Sequence, residues 1–346
     1  MKDYMNQLDK ETRKVDFDSF DISVKELISM ANESIINIAP EYQRQFRWPE
    51  DNQSKLVESV LLGIPIPNLF MAANRDGSWE LIDGVQRLNS LIHFCGTPEQ
   101  IESFGLDKPL KLKGLDILSE FNGATFSDLP HSLRLKFSLR PLKVTTLSDK
   151  SDLKVRFDLF ERLNTGGIKL TPQEIRACVF RGQFNDFVVE LAQNPDFNKV
   201  VNVSPTKAKD GTREELVLKF LAYKVKRHDF KHSVEKFLND FMAESSTHFN
   251  YKKYRELFEL TFESLNTALP DGIKRGNKGS TPQVLFEAIA VGAADAIEEG
   301  ADVSASDVVN WIDDEELRCL TTGATNSGPR LRDRIEYCRV RFVGNV

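Results

Sequence analysis

The sequence predicts a mixed α+β module followed by an all-helical one, and three observations carry that expectation. A hairpin pattern fills residues 68–84, strand-like apolar runs near 35–39 and 140–147 alternate with amphipathic helices, and from about residue 181 every patterned segment is helical. A chain of 346 residues is long enough for two cores of ordinary size. The modules are therefore drawn as 1–180 and 181–346.

Taken in order, DISVKELISMANESI reads as a helix with Val24, Leu27, Ile28 and Ala31 on one face. IINIA is a short strand ending at Pro40. WPEDNQSKLVESVLLG is a helix with Pro49 at its first position, Gly63 at its C-terminal cap, and Leu56, Val57, Val60 and Leu61 as its buried stripe. NLFMAANRDGSWELIDG is a hairpin, because Asp76-Gly77 between apolar runs tolerates positive φ. The helix after Gly84 turns Val85, Leu88, Leu91 and Ile92 inward. RPLKVTTL is another strand, and SDLKVRFDLFERLN a helix opened by a Ser or Asp cap. The second module holds REELVLKFLAYKVKR, HSVEKFLNDFMAE, YKKYRELFELTFESLNTAL and TPQVLFEAIAVGAADAIEE as helices, with PDGIKRGNKGS as a Gly- and Lys-rich loop.

Composition narrows the function classes. With 40% hydrophobic residues, 28% charged, and 24 Phe against 6 Tyr, the chain is globular with a phenylalanine-rich interior. A net charge of -6 excludes a generic polyanion binder, so nucleic-acid contact would require a local basic surface. Cys95, Cys178, Cys319 and Cys338 lie far apart among apolar residues and read as reduced core thiols. The first residues lack a signal-like apolar run and nowhere do eighteen apolar residues follow one another, so a cytoplasmic protein with no membrane partner is expected. No GxxxxGK[ST], GxSxG, HExxH or CxxC motif occurs, which disfavours the familiar hydrolase and metalloenzyme routes. His228 and His232 have the spacing of a helical metal pair, without an evident third ligand. The five arginines of PRLRDRIEYCRVRF, diluted by Asp333 and Glu336, read as a solvated face.

Three polar clusters interrupt the apolar pattern of the first module. In PEYQRQFRW, Gln43, Arg44 and Arg47 alternate with Tyr42, Phe46 and Trp48, which suits stacking of a planar ring beside contacts to phosphate, or an ordinary loop on buried aromatics. In LIDGVQRLNSL, a helix starting near Gly84 points unpaired N–H groups toward the strand end and offers an anion site. There Arg87 could clasp a phosphate. Asp83 could cap that helix, or hold a divalent metal or orient a water beside Gln86. In FERLNTGGIKLTPQEIRACVF, Asn164 and Gly166 or Gly167 can end one helix, and Thr171 to Glu174 form a capping box with Pro172 at the first helical position. Arg162, Thr165, Lys169 and Arg176 supply more polar groups than such a connection needs.

Together and in this order, PEYQRQFRW, LVESVLLGIPIPNLF, LIDGVQRLNSL and FERLNTGGIKLTPQEIR resemble the N-terminal domain of the GmrSD-type modification-dependent restriction enzymes, a family with a DGQQR motif related in fold to ParB and sulfiredoxin. The resemblance covers about residues 20–180. It implies a ParB/sulfiredoxin-like domain with a small mixed sheet, ahead of the helical half. It also implies binding and hydrolysis of a nucleoside triphosphate in a bacterial system that defends against phage DNA. In ParB and sulfiredoxin folds a glycine and an arginine in the corresponding turn hold phosphates. Longer family members carry a C-terminal HNH nuclease. No such pattern is read here, so cleavage is expected to need a separate partner. Val85 stands where the family has Gln, which weakens hydrolysis if that position touches nucleotide or water.

The expected activity is that of an NTPase acting as sensor or regulatory subunit, on or with DNA. Asp83, Gln86 and Arg87 are its candidate catalytic residues, with Mg²⁺ held through Asp83. Gln43, Arg44, Gly84, Arg87, Asn164, Thr165, Gly166 and Gly167 are the candidate nucleotide contacts. Tyr42, Gln43, Arg44, Arg47 and Trp48 are the candidates for sensing DNA or its modification. The alternative is a non-catalytic DNA-reading module or scaffold. Candidate partners are a nucleoside triphosphate, DNA, a separate nuclease or effector protein, and further copies of the chain.

Overall fold

The computed structural model describes residues 3–6, 16–38, 48–74, 76–148, 153–163, 171–204, 207–276 and 279–344. The chain divides into two compact units, Met1–Lys169 and Leu170–Val346.

The first unit is built on a five-stranded mixed sheet of order β1-β5-β3-β4-β2. Its elements are β1 (Phe17–Ser23), α1 (Val24–Asn32), β2 (Ile36–Asn37), α2 (Glu50–Leu62), β3 (Leu69–Ala73), β4 (Trp79–Asp83), α3 (Val85–Cys95), α4 (Pro98–Ser103), α5 (His131–Ser138), β5 (Pro141–Leu147) and α6 (Leu153–Leu163). β3 and β4 form the expected hairpin, with Gly77 at φ 86° and the Asp76 carboxylate accepting from the Ser78 backbone N–H at 2.9 Å. β5 lies parallel to β3 and antiparallel to β1. Leu69, Met71, Leu81, Leu88, Leu91 and Val144 are fully buried, so α3 and the central strands share one core.

β1 departs from the sequence expectation, which began a helix at Asp21. Residues 17–23 are a strand, and the helix starts only at Val24, where the Ser23 side chain caps it. Most of this strand is exposed, so it shows no apolar alternation to read. Pairing of Phe17 through Ser23 with Leu147 through Pro141, more than a hundred residues away, makes it a strand. α2 departs more modestly: Pro49 is its N-cap in extended conformation rather than its first helical residue, while Gly63 closes it at φ 79° as expected. Beside the expected apolar stripe, α2 also buries Gln53, Ser54 and Glu58. Ser54 and Glu58 accept backbone N–H groups of Lys113 and Leu118 at 3.0 and 2.8 Å and pin the long connection after α4.

Among the described residues the second unit contains helices and short turns: α7 (Pro172–Val179), α8 (Gln183–Leu191), α9 (Pro195–Val200), α10 (Thr212–Lys226), α11 (Val234–Ser245), α12 (Tyr251–Ala268), α13 (Gln283–Glu298), α14 (Val308–Trp311), α15 (Glu315–Thr321) and α16 (Gly328–Val343). The capping box of α7 forms as the sequence predicts, with Thr171 and Glu174 exchanging bonds and Pro172 in the first turn. Phe197 on α9 meets Phe258 and Phe262 of α12 and Phe286 of α13 at centroid distances of 5.6, 5.0 and 6.2 Å. The abundant phenylalanines are thus the packing material of this core.

A chain of charges runs through the same interior. Arg176 pairs with Glu215 at 2.7 Å, Lys219 bridges Glu215 and Glu287 at 3.3 and 3.4 Å, and Arg334 closes on Glu287 at 2.5 Å. Arg334, one of the arginines read as a solvated face, is in fact buried. Two further expectations change. His228 lies in the turn Arg227–Asp229 and His232 outside any helix, so no helical pair exists. Cys319 is exposed and Cys95 half-buried, whereas Cys178 and Cys338 are core thiols. Among the described residues no helix is long and apolar enough to cross a membrane.

Phe197→Ala removes a fully buried ring from the aromatic cluster. It is expected to cost about 3–5 kcal/mol, read as a lowered urea midpoint.

Candidate functional site

The site grows from the end of β4. Asp83 ends the strand, Gly84 adopts the left-handed region at φ 109°, and α3 begins at Val85. Gly84 is required on two counts. An L residue there is strained, and a Cβ would lie 2.2 Å from the Leu69 side chain. As the N-cap, glycine has no side chain with which to bond the first turn. The N–H groups of Val85, Gln86 and Arg87 have no intrahelical acceptor by helix geometry, and the positive end of the helix dipole lies there.

Asp83 does not cap the helix. Its Oδ2 accepts from Arg87 Nη2 at 2.6 Å, one helical turn away. The other arm of the guanidinium, Nη1, donates to the carbonyls of Pro67 and Asn68 at 2.5 and 2.8 Å. Arg87 is 8% exposed, so this fork ties the end of β4, the first turn of α3 and the loop before β3 into one unit. Asp83 keeps 38% of its side-chain surface exposed and is the open face of the pair. The loop Gly63–Asn68 also lines an open cleft of about 320 Å³ together with Arg140 and Lys143.

Gln86 points elsewhere. Its Oε1 accepts from the backbone N–H of Trp48 at 3.1 Å, and the carbonyl of Trp48 accepts from Gln53 Nε2 at 2.8 Å. Behind Gln53, its Oε1 lies 2.8 Å from His93 Nδ1, and His93 Nε2 lies 2.7 Å from the Lys108 carbonyl. Burial pulls the His93 pKa below its ordinary value, against the Lys108 carbonyl and the charge of Glu50, which raise it. Val85 is 8% exposed and belongs to the core side of α3.

The structure therefore brings together Trp48, Asp83, Gly84, Gln86 and Arg87. Tyr42, Gln43, Arg44, Arg47, Asn164, Thr165, Gly166 and Gly167 lie outside the described residues, as does Lys169. Arg162 is exposed on α6. Arg176 belongs to the buried charge chain of the second unit, bonded to Gln173 and Glu215. No group of three or more His, Cys, Asp or Glu side chains able to hold a metal occurs among the described residues.

Sequence reasoning passed over Gln53, His93, Glu80 and Arg156. Glu80 is 1% exposed on β4, three residues before Asp83, and Arg156 Nη2 donates to the Ala73 and Ser148 carbonyls at 2.5 and 3.2 Å. A lone glutamate inside the apolar run WELI was the available signal. Gln53 and His93 gave none, because a single polar residue on an amphipathic helix usually faces water.

This geometry defines an α+β domain whose strand-to-helix turn is held by an internal arginine fork. Residues 24–181 match the family model described as GmrSD restriction endonuclease, N-terminal domain, and this part of the chain belongs to that family. No curated protein and no solved structure matches the chain.

Two substitutions test the turn. Gly84→Ala is expected to cost about 2–4 kcal/mol through backbone strain and the clash with Leu69. Arg87→Ala is expected to cost about 2–3 kcal/mol, because it leaves two carbonyls and Asp83 without their donor. Urea unfolding measures both, and wild-type stability in either variant would contradict the described turn.

Proposed function

We propose that the first unit is a nucleotide-binding, NTP-hydrolysing module of ParB/sulfiredoxin-like fold in a bacterial restriction system directed against phage DNA. The family supports the restriction setting. The observation that carries the nucleotide reading is the Asp83–Gly84–Val85 turn, where N–H groups that helix geometry leaves without intrahelical acceptors lie next to a part-exposed carboxylate. Backbone N–H groups of Val85 and Gln86 hold phosphate oxygens. Asp83 suits Mg²⁺, which takes one or two carboxylates together with phosphates and water rather than a full protein cage. Held there, it would supply positive charge against the phosphates.

The backbone N–H of Trp48 donates to Gln86 beside this turn. In this reading Gln43 and Arg44 close over the nucleotide from one side and Asn164 to Gly167 from the other. Arg87 keeps the turn in shape through its fork, and its charge lies one turn behind the phosphates. That internal engagement also favours a second reading, a DNA-reading module or scaffold for a separate nuclease, in which the turn is structural and the 40–48 segment contacts DNA.

Phosphate release from ATP, GTP, CTP and UTP with Mg²⁺ separates the two. Under the first reading one nucleotide is hydrolysed and raises the melting temperature, and Asp83→Asn lowers turnover by about 100-fold or more while the fold persists. No release and no thermal shift with any nucleotide, together with salt-sensitive DNA binding, would establish the second.

A further inference from the structure

The polar path behind Gln86 has a definite direction. Carbonyl oxygens only accept, so Lys108 O requires a proton on His93 Nε2, and Trp48 O requires the amide nitrogen of Gln53. That orientation turns Gln53 Oε1 toward His93 Nδ1 at 2.8 Å, and this contact bonds only if Nδ1 also carries a proton. A neutral imidazole has one N–H. It therefore leaves the Lys108 carbonyl unserved, or sets two acceptors face to face at Gln53, or reverses the Gln53 amide and takes the donor from Trp48.

We propose that Gln53 and His93 are positioning residues that brace Trp48 and, through it, Gln86, and that protonation of His93 completes the brace and ties Trp48 to the Asp83–Arg87 turn. The claim that the braced groups serve a nucleotide site rests on the function proposed above. The brace itself rests on four contacts of 2.7–3.1 Å within one unit. Of the charged groups around the ring, Glu50 on α2 favours the imidazolium. Lys108 presents its carbonyl, with an exposed side chain. The ionisable side chains of the neighbouring α1 and α4, Lys25, Glu26, Glu33, Glu99 and Glu102, are exposed, as is Asp128 in the turn Phe126–Asp128. Burial opposes the charge, so the brace closes only at a pH below the ordinary histidine value of 6.5 and is already open at that value.

The readout is Trp48 itself. In a Trp79→Phe/Trp311→Phe background it is the one remaining tryptophan of three. Its emission and acrylamide quenching, followed between about pH 5 and 8, are expected to show a one-proton step toward a more protected state on the acid side. His93→Gln is expected to abolish the step. Gln53→Leu keeps the His93 titration, followed by imidazole NMR shifts, but uncouples it from Trp48. No step in the tryptophan background, or a step that survives His93→Gln or Gln53→Leu, would overturn the brace. Repeating the titration with ATP and Mg²⁺ separates the two claims. A step in Trp48 with no nucleotide bound at either pH sinks the nucleotide reading and leaves the brace standing, whereas nucleotide binding without a step does the reverse.

Discussion

The first unit depends on the guanidinium of Arg87. One planar fork fastens three neighbouring pieces of chain: the end of β4 through Asp83, the start of α3, and the loop before β3 through the Pro67 and Asn68 carbonyls. Arginine suits this because its donors are fixed in a plane, so satisfying one acceptor orients the rest. A lysine at the same place would be a single point of charge with no fixed angles. Buried carbonyls at a loop need donors, and here a charged side chain supplies two of them in a nearly dry position. Gly84 is the complementary constraint, since the chain must turn through positive φ while Leu69 fills the space where a Cβ would stand.

The same fork shapes what the turn can do. Because Arg87 holds Asp83 and two carbonyls, its charge is committed inside the turn, and the motif leaves the part-exposed carboxylate of Asp83 open beside the first turn of α3. That is a small, polar, preorganised surface rather than a cluster of mobile cations. Gln86 extends the surface sideways by receiving Trp48, so the order of residues in the motif assigns a different direction to each: Asp83 outward, Val85 inward, Gln86 toward the 48 end, Arg87 beneath.

The second unit meets a different constraint. Its core mixes phenylalanines that meet mostly edge-on or tilted with a continuous chain of buried charges from Arg176 to Arg334. Burying such charges is costly unless each finds a partner, and removing one would leave another uncompensated. The chain therefore demands a particular register among α7, α10, α13 and α16, while the rings fill volume with little directional preference.

Much of this was legible in the sequence where the information is local. The β3–β4 hairpin followed from Asp76-Gly77, the α7 start from Thr171-Pro172-Gln173-Glu174, the end of α2 from Gly63, and the strand-to-helix turn at Asp83–Gly84 from polar residues interrupting an apolar strand and helix. The edge strand β1 was illegible because its exposed face carries no pattern and its hydrogen bonds come from β5. Arg334 was illegible as a buried residue because a charge in a sequence announces water unless its partner is known. The sequence by itself determined the elements that carry their own periodicity or turn residues, such as the β3–β4 hairpin, α3 and the start of α7, since these depend on periodicity and on residues with restricted backbone angles. Tertiary structure alone decided that Arg87 faces inward to carbonyls, that Gln86 receives Trp48, and that His93 stands behind both, because each depends on atoms brought together from distant parts of the chain.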